Sequence, residues 1–208
     1  MSIENYNGGA LVAMTGDECY AIACDRRFGV ELSTVAFDYE KVFQFGDRLF
    51  CGLGGFVTDI QTVHEKLRFR KNLYEQREGR QMSAKVFENM LSNMLYEHRF
   101  GPFFVSTIVA GLETDRNGVT KPYISGTDLI GATGMPEDFI TAGASSDQLM
   151  GICEALWRPK MKPDELFECI SQSVLNAVDR DGKSGWGVSV WVVEKDKITK
   201  KTLKGRMD

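Results

Sequence analysis

Histidine is nearly absent from this chain, with His64 and His98 the two among 208 residues. They lie far apart in sequence and lack neighbouring thiols or clustered carboxylates, so a zinc site has little to build on and no metal ligand set is expected. Cysteine is sparse and odd in number: Cys19, Cys24, Cys51, Cys153 and Cys169 show no CxxC spacing, and most sit inside apolar runs. Buried reduced thiols are the expectation. No window approaches the roughly 20 apolar residues of a membrane span. Met1 to Gly9 has neither the basic stretch nor the apolar run of a signal peptide. An excess of positive charge is also missing: 25 Lys and Arg stand against 29 Asp and Glu, a formal net charge of −4. That balance supplies no field to draw the chain onto phosphate backbones. Nucleic acid and membrane are therefore not expected as partners, and a soluble intracellular protein is.

With 43% hydrophobic residues the chain is long enough to bury one sizeable core, and a single domain over 1–208 is the expectation. Apolar runs at Ala10 to Met14 and Cys19 to Cys24 flank Thr15-Gly16-Asp17-Glu18, which suits a tight hairpin. Strand-like runs follow at Leu32 to Ala36, Lys41 to Phe45 and Leu49 to Leu53. The period then changes. Ile60, Val63, Leu67 and the Arg70/Leu73/Tyr74 group recur at helical spacing after Thr58 and Asp59, either of which could cap the start. Val86, Phe87, Met90, Leu91, Met94 and Leu95 repeat the pattern after Ser83, with Glu78-Gly79-Arg80 in the connection. Strands return at Phe103 to Ala110, Tyr123 to Leu129 and Phe139 to Ala142, with a turn around Asp115-Arg116-Asn117-Gly118. A second helix pair is carried by Leu149, Ile152, Cys153 and Leu156, then by Leu166 through Val178 behind Pro163. Gly187 to Val193 and Lys197 to Leu203 form a closing hairpin. Strands, helix pair, strands, helix pair, strands is not the alternation that builds a parallel sheet. Two antiparallel sheets face to face, with a helix pair on each side, would bury every apolar stripe.

Two loops invite ligand readings and fail them. Gly52-Leu53-Gly54-Gly55 precedes a helix, yet it is neither GxGxxG nor a P-loop and no βαβ unit surrounds it, so close backbone packing is expected and no cofactor. Asp179-Arg180-Asp181-Gly182-Lys183-Ser184 opens with calcium-loop spacing. It then places Ser184 and Val190 where such a loop requires glycine and glutamate.

Segments along nearly the whole chain carry a resemblance. Asn7-Gly8-Gly9-Ala10, Asp25-Arg26-Arg27-Phe28-Gly29, Gly46-Asp47-Arg48-Leu49, Tyr96-Glu97-His98-Arg99-Phe100-Gly101-Pro102, Asp128-Leu129-Ile130-Gly131, Asn176-Ala177-Val178-Asp179-Arg180-Asp181 and Lys195-Asp196-Lys197-Ile198-Thr199 resemble the proteasome β-subunit family. The resemblance implies an α+β fold, the four-layer αββα sandwich of the N-terminal nucleophile hydrolases. Active members use an amino-terminal threonine, whose hydroxyl attacks a peptide carbonyl while its own amine takes the proton. That works because an α-amino group titrates at about 7.7 to 8.0. Counted back from Asp25, which matches the family's strand-end aspartate, the nucleophile position falls on Gly9. Lys41 matches the lysine that lowers the amine's pKa, Asp181 and Ser184 the orienting pair, Gly55 the oxyanion N–H, and Ser146 the family's other serine.

The resemblance thus implies a non-catalytic β subunit of the eukaryotic core particle in ubiquitin-dependent protein degradation. It implies two lateral β neighbours, the opposite β ring and the α ring as partners, and cytoplasm and nucleus as location. Without a threonine there is no cut to make, so residues 1–9 form a retained extension, Met1 apart. Without that resemblance Lys41, Asp181 and Ser184 would pass for turn residues. The aromatic-rich Arg99 to Phe104 stretch suits either the core or a subunit contact, and Arg beside aromatics favours the contact. Asp128 matches an aspartate that reaches a catalytic neighbour's pocket, here that of the trypsin-like subunit, or else it is a strand-end aspartate on a hydrogen-bonded turn. Its family companion four places on is Ala132. The rival reading is an active hydrolase using Ser2 after loss of Met1, although Ser2 lies seven residues before Gly9 and would have to fold back to reach Lys41. A homomeric particle needs a nucleophile in every copy, which Gly9 argues against.

Overall fold

The computed structural model of the chain describes residues 3–114 and 118–207. A short 3-10 turn, Ile3–Asn5, leads into β1 (Ala10–Thr15) and β2 (Tyr20–Asp25). A two-stranded ribbon follows, β3 (Phe28–Val30) and β4 (Ser33–Ala36), then β5 (Val42–Gly46) and β6 (Leu49–Gly55). Helices α1 (Val57–Glu78) and α2 (Ala84–Tyr96) precede β7 (Val105–Thr114), β8 (Thr120–Thr127), β9 (Thr133–Gly134) and β10 (Phe139–Gly143). The chain closes with α3 (Ser146–Leu156), α4 (Pro163–Val178), β11 (Val188–Val193) and β12 (Ile198–Leu203).

Among the described residues the long strands form two antiparallel five-stranded sheets, ordered β10-β1-β2-β11-β12 and β5-β6-β7-β8-β9. Every residue of β1, β2, β6 and β11 is buried, because both faces of these strands are covered. Strand β1 shows how. Ala10, Val12 and Met14 face α3 and α4 with Leu166, Ile170 and Val174, while Leu11 and Ala13 face the other sheet with Phe50 and Ile108. The second sheet turns Leu53, Val105 and Val109 to Ile60, Leu67, Phe87 and Leu91 of α1 and α2. The layers are helices, sheet, sheet, helices, the sandwich expected from the element order.

The sheets approach closely where side chains are missing. A Cβ on Gly54 would lie 3.0 Å from Leu11 Cδ1, and one on Gly52 would lie 3.1 Å from Leu11 Cδ2, so the glycine-rich run serves packing between sheets.

Several boundaries differ from the sequence reading for physical reasons. The run Leu32 to Ala36, less its first residue, is β4, and the sequence reading lacks its partner β3: Glu31 takes φ +54° and turns the chain so that Phe28–Val30 pairs with Ser33–Ala36. Helix α1 begins one residue before Thr58 and is not capped by Thr58 or Asp59; Asp59 Oδ2 instead accepts from Phe104 N at 2.8 Å. Ser83 does cap α2, its Oγ accepting from Val86 N, and Gly79 ends α1 in the left-handed conformation. The turn expected at Asp115-Arg116-Asn117-Gly118 falls largely outside the described residues.

Leu11 is fully buried between the sheets against Gly52 and Gly54, so Leu11→Ala is expected to cost about 2–5 kcal/mol. Urea unfolding followed by the fluorescence of Trp191, in the same apolar layer, measures it.

Candidate functional site

The site forms where the start of β1, the end of β2 and the loop before β11 meet. Gly9 enters β1, and its N–H donates to Ser184 Oγ at 3.1 Å. The next amide, Ala10 N, donates to Asp25 Oδ1 at 2.9 Å. Asp25, fully buried at the end of β2, collects two further backbone donors on Oδ2, Arg27 N at 3.3 Å and Gly185 N at 3.1 Å.

Lys41 stands just before β5 and reaches Asp25 Oδ1 with Nζ at 2.7 Å. Its remaining protons go to the carbonyls of Arg27 at 2.8 Å and Asp25 at 3.2 Å. The ammonium is therefore neutralised and fully hydrogen-bonded without water, which a buried charge requires.

A second knot adjoins the first. Ser145 Oγ and Ser184 Oγ each lie 2.6 Å from Asp181 Oδ2, and 2.8 Å from one another. Each hydroxyl has one proton, so with both given to the carboxylate, the lone pairs of Ser184 remain to accept from Gly9 N–H. Burial opposes the charge on Asp181. The two hydroxyls and the Lys183 N–H outweigh it and hold the carboxyl below its ordinary value.

Gly9, Asp25, Lys41, Asp181 and Ser184 are thus linked by hydrogen bonds. Ser146 is not among them, which corrects the sequence reading: the serine in the knot is Ser145. Of two adjacent serines at a strand-to-helix junction, Ser145 precedes α3 and turns inward, fully buried, whereas Ser146 is the first helical residue. Nothing in the one-dimensional pattern separates them.

Gly55 ends β6 with φ +113°, and a Cβ there would lie 2.4 Å from Phe104 O. It lines a cleft of about 420 Å³ together with Glu4, Asn5, Thr127, Asp128 and Ser146. Asp128, exposed at the end of β8, accepts on Oδ1 from Ile130 N at 3.0 Å and Ala132 N at 2.8 Å. Ser2 lies outside the described residues.

What the arrangement can do follows from its atoms. Gly9 has no side chain, and its nitrogen is an amide, which has no basic lone pair to take a proton. Cys24 adjoins Asp25 in the sequence, but burial, which outweighs the opposing influence of Lys41, pushes its thiol up to about 11. It is a neutral core residue at pH 7. Arg27, overlooked as a site residue from sequence, closes the wall: its guanidinium donates to Lys183 O, Glu31 O and Thr34 Oγ1 at 2.8 to 3.0 Å.

With this geometry in place, comparison with known proteins defines the class. Residues 5–193 match the model described as "Proteasome subunit", and the chain belongs to the proteasome subunit family. Within it, the chain is 54% identical to proteasome subunit beta type-3 of Drosophila melanogaster over 208 residues, all of both chains. The proteins of the same name from Caenorhabditis elegans and Picea mariana are 49% and 48% identical, again over the full length of each.

Two measurements test the energetics. Lys41→Met leaves the Asp25 charge buried alone and is expected to destabilise by about 3–5 kcal/mol. Adding Asp25→Asn should return part of that loss, with a coupling of about 0.5–3 kcal/mol in a double-mutant cycle. For Asp181, the stability gained from its lowered folded pKa is complete above the unfolded value of about 3.9 and is lost as pH falls through the folded one. Ser184→Ala should therefore shrink the stability lost on acidification, read from unfolding midpoints across that range.

Proposed function

We propose that this chain is a structural, non-catalytic β subunit of the proteasome core particle, a wall of the proteolytic chamber and not a peptidase. The observation that carries the reading is Gly9. The lysine, aspartates and serine that would serve an attacking hydroxyl converge on this position, and a glycine amide occupies it. Removal of a nucleophile leaves at most the residual assistance of binding and an oxyanion hole, orders of magnitude below full activity. Cutting before residue 9 would have no hydroxyl to drive it, so residues 1–8 stay in the mature chain, Met1 aside.

The surface fits a subunit that is enclosed by others. Leu32, Val35 and Phe37 on the β3–β4 ribbon are exposed, and Phe100 beyond α2 is 99% exposed. Apolar groups spread in this way over several faces suit contacts with two lateral β neighbours, the opposite β ring and the α ring. We place the particle in the cytoplasm and nucleus. Asp128 supports an indirect role: its two turn bonds go to Oδ1, and Oδ2 has no partner among the described residues. It is available to a cationic side chain in the pocket of a neighbouring trypsin-like subunit.

Treating purified particles with an epoxyketone probe, followed by intact mass of each chain, should leave this chain unlabelled and carrying the residues before Gly9. Labelling at Ser2 or a start at residue 9 overturns the reading. Asp128→Asn should lower particle cleavage after Arg or Lys by roughly three- to tenfold, the equivalent of about 1 kcal/mol. Cleavage after apolar residues should stay unchanged.

A further inference from the structure

A missing hydroxyl does not explain how the chain enters β1. Residues 3–8 are tied down by contacts of their own. Asn7 is a buried polar residue, 5% exposed, and its amide is used at both ends: Oδ1 accepts from Val57 N at 3.0 Å and Nδ2 donates to Gly29 O at 2.9 Å. It thereby caps the first turn of α1, whose N-cap position, Phe56, has no side chain able to accept. Tyr6 O accepts from Glu31 N at 2.8 Å, and Lys183 Nζ donates to Asn5 O at 3.2 Å. The Tyr6 ring meets Phe56 edge-on, with centroids 6.2 Å apart. Glu4 and Asn5 then lie in the cleft beside Gly55 and Asp128.

Two glycines join this segment to β1. Gly8 has φ +71°, and a Cβ there would fall 1.9 Å from Lys183 O. Gly9 has φ +129°, and a Cβ would press on Lys41 Cε at 3.1 Å and Cδ at 3.3 Å. That region of backbone space is closed to a β-branched residue. A threonine placed at position 9 on this backbone would meet both strain and the Lys41 side chain.

We propose that Ile3–Gly8 is a strap across the relict cleft that holds the Gly8–Gly9 backbone in a glycine-only path, so the site stays shut even when a hydroxyl is supplied at position 9. This rests on the reading that residues before Gly9 are retained. Self-cleavage would require the new hydroxyl oxygen to add to the Gly8 carbonyl carbon. The amide would exchange for an ester as the hydroxyl proton passes to the residue-9 nitrogen, and water would then split the ester to a Gly8 carboxylate and a free hydroxyl. The strap withholds the backbone geometry for the first of these steps.

The test uses assembled particles in which this chain carries Gly9→Thr, either behind its own residues 1–8 or behind a removable ubiquitin that exposes the threonine directly. The first variant should keep its residues 1–8 and take no epoxyketone. The second, freed of the strap, should be labelled. Cleavage and labelling of the first variant overturn the proposal, as does an unlabelled second variant, since the strap would then not be what shuts the site. If Gly9→Thr chains fail to enter particles, hydrogen exchange on the native residue-9 background decides. Asn7→Ala should speed exchange at the Val57 amide by about tenfold, as expected for one lost buried hydrogen bond, and an unchanged rate overturns the strap. Wild-type chains beginning at Gly9 would refute retention itself, a result distinct from any of these.

Discussion

One buried ion pair ties the corner on which the rest of the site is built. Four donors converge on the two oxygens of Asp25: Lys41 Nζ and Ala10 N on one, Arg27 N and Gly185 N on the other. They come from the start of β1, the link between β2 and β3, the approach to β5 and the loop before β11. Both charges are out of water, which is expensive unless every remaining proton and lone pair is used. Here they are used, since Lys41 spends its other protons on two backbone carbonyls. The pair gives the ends of four chain segments a common anchor, and it sets where Gly9 and Ser184 sit.

From that anchor the same atoms admit two roles. Around an amino-terminal hydroxyl, a buried ammonium and an aspartate–serine knot are the parts of an acyl-transfer site. Around an internal glycine amide they become a clasp: Gly9 N–H is a donor to Ser184, and Ser184 answers to Asp181. No group is left unsatisfied and no group is left reactive. The side chains of the frame are compatible with either state, and the backbone at Gly8 and Gly9 fits the second.

The fold was legible because both faces of the central strands are covered. That produces runs such as Ala10 to Met14 and Cys19 to Cys24, bounded by turn residues, while α2 and α4 repeat apolar residues at helical spacing. The order of these runs was enough to stack the layers. Ends were less legible: β7 and β8 run past the apolar stretches that announced them, since hydrogen bonding to a neighbouring strand continues through Glu113, Thr114 and Lys121. The positions of Asp25, Lys41, Asp181 and Ser184 came from a family likeness and not from spacing, for they are dispersed over 160 residues and meet only in three dimensions. Ser145 was missed because helix register decides between two adjacent serines. Asn7 was missed because its role is to cap a helix that starts 50 residues later, a relation with no local signature.

The asymmetry of buried charges also explains how a hydrolase frame can stand without its reagent. A hydroxyl at position 9 contributes little to stability, and exchanging it for hydrogen while the chain ahead is kept converts a free amine into an ordinary amide donor. Removing Lys41 alone, or Asp25 alone, strands a charge or a set of buried N–H groups. The frame can be dismantled only by several simultaneous changes, whereas the nucleophile can be given up in one. A chain that needs the corner for its packing has reason to keep the lysine, the aspartates and the serines apart from any catalysis. Their presence around Gly9 is then a property of the fold and by itself says nothing about activity.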